Sequence, residues 1–211
     1  MKKYIDANTN SGDPELRHAV GEIIHRISAS LPDLKEPIKM YLAGGMAVNF
    51  YTGYRPTMDV DASFSHRILL PKAEDLVVAY EGAEGKLKRV YFDMNYNTSF
   101  ALLHPDYEKD AYQVRGTEFD DKKIDLYVLS PVDLAVSKIA RFGGNDKEDI
   151  AEMAKKDLIY PKQLEERASD ALGYYIGNQS MLMCNLRDAV SIVQETQRDS
   201  KQKCRDKDHG R

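Results

Sequence analysis

Two aspartates one residue apart, Asp59 and Asp61, are the residues of this chain best suited to chemistry. In a strand successive side chains alternate between faces, so both carboxylates point one way while Val60 between them points into a core. Two carboxylates held side by side repel each other, and the arrangement becomes favourable chiefly when a divalent cation neutralises them. The pair reads as a metal clamp. Upstream, Gly44 and Gly45 stand where a short apolar run turns into an amphipathic segment. Backbone N–H groups at such a turn can approach an anion at a helix N-terminus. A glycine pair there serves tight backbone geometry as readily as phosphate. Arg55, with Pro56 and Thr57, leads into the carboxylate strand and suits either a triphosphate or one of the aspartates.

The elements that must position these groups follow from periodicity. Residues 40–64 read as strand, glycine turn, helix and strand. Before them, Asp13 and Pro14 open a helix whose stripe is Leu16, Val20, Ile23, Ile24, Ile27 and Leu31, and Pro32 and Pro37 close it. His18 and His25 flank that stripe as packing or surface residues. After the aspartates come a helical stretch over 72–81, strand-like runs over 89–92 and 97–103, and a strand over 123–129 that sets Asp125, Tyr127 and Leu129 on one face. Ser130 and Pro131 open a helix carrying Lys138, which Gly143 and Gly144 end. Three further helices cover 147–157, a segment opening at Pro161, and 181–197. The expected organisation is a loose lead-in over 1–12, an α/β (α+β) domain over 13–145 with a mixed sheet flanked by helices, a helical subdomain over 146–197, and a charged, unfolded tail over 198–211.

Composition bounds what the clamp can belong to. At 211 residues, with 42% hydrophobic and 30% charged residues, the chain is an ordinary globular sequence with room for one sizeable core and an appendage. Its formal net charge of -4 gives no overall nucleic-acid footprint, so any nucleic acid must be met locally. No apolar run suits a membrane span, and the first residues lack the apolar centre of a signal peptide, which leads to the expectation of a cytoplasmic protein. Cys184 and Cys204 have neither metal spacing nor a disulfide framework and are expected to be free thiols.

The order Gly44-Gly45, helix, Arg55-x-Thr57, Asp59-Val60-Asp61 resembles the nucleotidyltransferase superfamily of DNA polymerase beta type. Within it, the chain is most similar to small bacterial nucleotidyltransferases related to abortive-infection toxins and to minimal nucleotidyltransferase antitoxins. The resemblance implies a third carboxylate on a neighbouring strand, for which Asp125 is the choice. It also covers the helix with Lys138 and the box Asp146-Lys147-Glu148-Asp149, whereas Asn145 departs from the basic residue usual in the family. By this resemblance Asp59, Asp61 and Asp125 would hold Mg2+ (or Mn2+), and Gly44 and Gly45 would cradle the phosphates of ATP or another NTP. Arg55, Thr57 and Lys138 would contact the nucleotide, with Asp146 and Asp149 capping the next helix or supporting the site. The implied activity is transfer of a nucleoside monophosphate to an RNA (tRNA) or protein hydroxyl, with a toxin or antitoxin partner in a defence setting. A nucleotide-binding or partner-binding module without transfer is the alternative.

Overall fold

The structure is a computed structural model that describes residues 4–6, 13–82, 84–98 and 101–208. The chain divides into two compact units, one formed by Met1–Asn97 with Glu108–Ser130, the other by Thr98–Tyr107 with Pro131–Arg211.

The first unit is built on two small sheets and two helices. Asp13 caps α1 (Pro14–Ser30), accepting the Glu15 N–H at 3.0 Å, and Pro14 occupies the first turn where no intrahelical donor is needed. The α1 stripe of Leu16, Val20, Ile23, Ile24 and Ile27 is at most 3% exposed. Each such burial contributes about 1.5–3 kcal/mol. In the five-stranded sheet, β2 (Ile38–Leu42) lies between β4 (Ala62–Phe64), antiparallel to it, and β8 (Ile124–Val128), parallel to it. β7 (Tyr112–Arg115) runs antiparallel to β8, and β1 (Tyr4–Asp6) adds a parallel edge. The second sheet has the order β3 (Asp59–Val60), β6 (Leu87–Phe92), β5 (Val77–Glu81), with β3 parallel and β5 antiparallel to β6. The helix α2 (Gly44–Thr52) starts directly after β2.

Hydrogen bonds from α1 fix both sheets. Asp121 accepts from Ser28 Oγ at 2.7 Å and from the backbone N–H groups of Lys123 and Ile124, which pins the start of β8 to the helix. His25 Nδ1 lies 3.2 Å from the same carboxylate, so this histidine is a packing residue. Burial pushes the Asp121 carboxyl up, but these hydrogen bonds outweigh it and hold it below its ordinary value. Arg26 donates to the carbonyls of Asp75 and Val77 at 3.0 and 3.1 Å, covering the start of β5 at the sheet edge.

The second unit is helical: α4 (Pro131–Ile139), α5 (Gly144–Lys155), α6 (Pro161–Tyr174) and α7 (Gln179–Asp208) pack on one another, after the single turn α3 (Tyr107–Asp110) where the chain passes back into the first unit. Ile139, Ile150, Met153, Leu164, Ala168 and Val193 are 0% exposed and form its core. Arg167 on α6 grips the fully buried Asp133 on α4 through two hydrogen bonds of 2.8 and 3.0 Å.

The mixed α/β fold with a helical C-terminal region is the class the sequence predicts, and five details differ. Residues 72–81 form a short 3-10 turn (Ala73–Leu76) and β5 rather than a helix, because Val78 and Tyr80 alternate inward while Val77, Ala79 and Glu81 face out. In the expected strand over 97–103 the described residues form none. Within the expected loose lead-in, Tyr4–Asp6 is a strand that satisfies the free edge of β7. The helical unit begins at Pro131 and takes in Thr98–Tyr107, instead of beginning at residue 146. Finally, α7 runs on to Asp208, through most of the expected unfolded tail, since no Gly or Pro interrupts it before Gly210.

Candidate active site

The expected single strand carrying both aspartates is two strands. Asp59 and Val60 pair with Tyr91 and Phe92 in the three-stranded sheet, whereas Ala62 to Phe64 pair with β2 in the five-stranded sheet. Asp61 is the residue at which the chain changes sheets. Alternation still holds through the crossing: Val60 is 0% exposed, and both aspartates are partly exposed.

Asp61 meets the start of α2. The Ala43 N–H donates to the Asp61 carbonyl at 2.8 Å, and Ala43, the residue before the helix, supplies no side-chain cap. Gly44 has φ +62°, and a Cβ built on it would lie 1.8 Å from Asp61 Oδ2. The carboxylate thus fills the volume any other residue's side chain would need, at a helix N-terminus whose partial positive charge favours an anion. Gly45 lies against Thr57, whose Cβ would be 3.5 Å from an added methyl. The Thr57 hydroxyl in turn donates to Asp59 Oδ1. The connecting loop is tied down by Asn49, 7% exposed, whose amide donates to the carbonyls of Tyr54 and Arg55, and by Thr52, whose hydroxyl accepts the Tyr54 N–H at 3.0 Å. Asn49 is a positioning residue that helical periodicity hides, because it sits among the apolar residues of α2. Arg55 is half-buried in this loop.

Asp125 stands apart from the pair. It lies opposite Lys39 on β2, whereas Asp61 lies beside Ala43, four residues further along and just past the end of that strand. At about 3.3 Å per residue that is roughly 13 Å along β2, with the width of the strand to be added. Asp125 instead lines a cleft of about 420 Å3 with Asp6, Arg115 and Asp120. Its charge, after burial, helps to push the Tyr127 phenol above its ordinary value. Among the described residues no group of three or more Asp, Glu, His or Cys is placed to hold a metal ion. The three-aspartate clamp is therefore not assembled. Mg2+ is commonly held by one or two carboxylates, which Asp59 and Asp61 would supply, together with waters and substrate phosphates.

Lys138, Asp146 and Asp149 lie in the second unit and satisfy one another. Lys138 Nζ is 2.6 Å from Asp149 Oδ2 and 3.6 Å from Asp146 Oδ1, all three side chains being at most 5% exposed. Arg141 binds Asp146 through two hydrogen bonds of 2.8 and 2.7 Å, and the Gly143 N–H donates to the same carboxylate at 2.9 Å, which caps α5. Burial raises the Asp146 carboxyl, yet the Arg141 and Gly143 hydrogen bonds and the Lys138 and Arg141 charges prevail and hold it below the ordinary range.

The glycine turn at the start of α2, with the Asp61 carboxylate seated against it, belongs to a mixed α/β protein. A comparison with protein families matches residues 19–195 to the family described as "Nucleotidyltransferase of unknown function (DUF6036)". The chain belongs to this family. Neither the comparison with curated proteins nor that with solved structures gave a match. Among the described residues no helix is long and apolar enough to cross a membrane.

Proposed function

We propose that the chain is an NTP-dependent nucleotidyltransferase that uses Mg2+ or Mn2+ held by Asp59 and Asp61 and transfers a nucleoside monophosphate to a hydroxyl of an RNA or protein acceptor. The observation that carries this reading is the Asp61 carboxylate lying in the volume that a side chain at Gly44 would fill, at the N-terminus of α2. That placement puts a metal-binding group within one side chain's reach of backbone donors suited to phosphate. When bound, the cation would neutralise phosphate oxygens and lower the pKa of the attacking hydroxyl. The protein's own contribution is positional: the N–H groups at the start of α2 orient the phosphates, Arg55 adds positive charge, and the Thr57 hydrogen bond holds Asp59 in one rotamer. In the reaction the acceptor oxygen bonds to the α-phosphorus, its proton passes to solvent, and the bond to pyrophosphate breaks.

Purified protein incubated with each labelled NTP and total RNA or cell lysate is expected to label one acceptor class. Asp61→Asn should abolish labelling and leave the fold intact, and full activity in that variant would overturn the proposal. The distance of Asp125 from the pair favours a second reading, a module that binds nucleotide, or a toxin or antitoxin partner, without transfer. Mg2+-dependent NTP binding with no labelled product would select it.

A further inference from the structure

Asp59 and Asp61 flank the buried Val60 on one side of the chain but border different elements. Asp61 sits at the start of α2, on the phosphate side of the proposed site. Asp59 belongs to the three-stranded sheet, where Tyr91 lies directly opposite it and Val77 lies opposite Tyr91 on the far side. Two residues along, the next pair on the same face is Arg89 with Ala79. Paired residues share a face of a sheet, so Asp59, Tyr91, Val77 and Arg89 all stand on one side. Val60, Val78, Val90 and Phe92 on the other side are buried. The face with Asp59 is open: Tyr91 is 40% and Val77 37% exposed, and Arg89 and Ala79 are exposed as well. Among the described residues neither Tyr91 nor Arg89 makes an ion pair or ring contact.

We propose that this face is the acceptor platform. A single-stranded nucleic-acid end lies on it, with its last base stacked on Tyr91, a phosphate paired with Arg89, and its terminal hydroxyl at Asp59. The inference rests on the proposed nucleotidyltransferase reading and adds to it which side the acceptor enters from and what it is. A phenol ring and a planar guanidinium on an open sheet are the groups that hold unstacked bases and their phosphates. Small Ala79 opposite Arg89 leaves the surface flat. A peptide would use the sheet differently, by pairing with the edge strand. The longer of the two edges is β5, where Arg26 already occupies the Val77 carbonyl and that of Asp75 just before the strand. Glu81, two residues beyond Ala79 along β5 and next to it on the same face, repels phosphate and limits the footprint to a short stretch of strand.

Fluorescence anisotropy with a 5′-labelled single-stranded RNA, in Mg2+ and without NTP, tests this, with binding of a fluorescent ATP analogue measured in parallel. Tyr91→Ala is expected to weaken RNA binding on the order of tenfold, and Tyr91→Phe to stay within about twofold, because stacking needs the ring and not the hydroxyl. Arg89→Ala should weaken binding and lower the salt slope by about 0.7. Nucleotide binding should be unchanged in all three variants, which also shows that they are folded. Unaltered RNA affinity in Tyr91→Ala, or no RNA binding by the native protein while it still binds nucleotide, overturns the platform. Absence of nucleotide binding in the native protein overturns the transferase reading instead.

Discussion

At the scale of single residues, Gly44 is the position with the least freedom. Its φ of +62° excludes most side chains, and the Asp61 carboxylate occupies the place of a Cβ. Gly44→Ala is expected to destabilise the protein by about 2 kcal/mol or more, from backbone strain and the displaced carboxylate together. Urea denaturation measures this. Combined with Asp61→Ala the loss should be less than the sum of the two single losses, since one substitution removes the atom the other collides with. Sequence alone identified both glycines and both aspartates but left phosphate and tight geometry as equal reasons for the glycines. Contact with Asp61 shows that tight geometry is required at Gly44, whereas a Cβ at Gly45 would meet Thr57 at an ordinary packing distance. Asn49, Arg89 and Tyr91 gave no signal of their own, because an amide within an apolar helix stripe and single polar residues on a strand acquire meaning only through their partners.

At the scale of elements, the link between α4 and α5 shows how a motif expected to meet the nucleotide through Lys138, and to cap a helix or support the site through Asp146 and Asp149, forms a closed structural cluster. Lys138, Arg141, Asp146 and Asp149 close on one another, and Asp146 caps α5 through Gly143. The Asp146 carboxyl is held below its ordinary value, so its contribution to stability is complete above the unfolded value of about 4 and is lost as pH falls through the folded one. Asp146→Asn should therefore lower stability at neutral pH and flatten the loss of stability below about pH 4. Denaturation curves at several pH values, read by circular dichroism, check both parts. The two strands around Asp61 are a second case. Local alternation correctly put Asp59 and Asp61 on one side, but a two-residue pairing with β6 followed by pairing with β2 is decided by partners distant in sequence. The same limit explains residues 72–81, where amphipathic residues fit either period until β6 supplies a neighbour.

At the scale of the whole molecule, the expected order of an α/β unit and then helices holds, while its boundary moves because Thr98–Tyr107 joins the helices from outside their sequence range. No local signal marks a segment that crosses between units. The far end of α7 departs from the expected coil for a different reason: its mixed charges suit a solvated coil and a solvated helix equally. Among the described residues, Val193 is the last core residue of α7, and Gln197, whose amide reaches the Ile159 carbonyl at 3.1 Å, is the last whose side chain hydrogen-bonds outside the helix. A chain ending after Gln197 should melt within about 2 °C of the full chain, a shift that calorimetry resolves.

The guanidinium of Arg26 over the start of β5 reaches beyond one molecule. A sheet edge with bare carbonyls is a template on which another chain can grow a strand, and crowded proteins associate through such edges. By occupying the Val77 carbonyl, and that of Asp75 just before the strand, from its own helix, this chain blunts the start of the strand nearest its exposed platform against β-type self-association. A face that carries Tyr91, Val77 and Leu87 in the open can thus stay uncovered without becoming the seed of an aggregate.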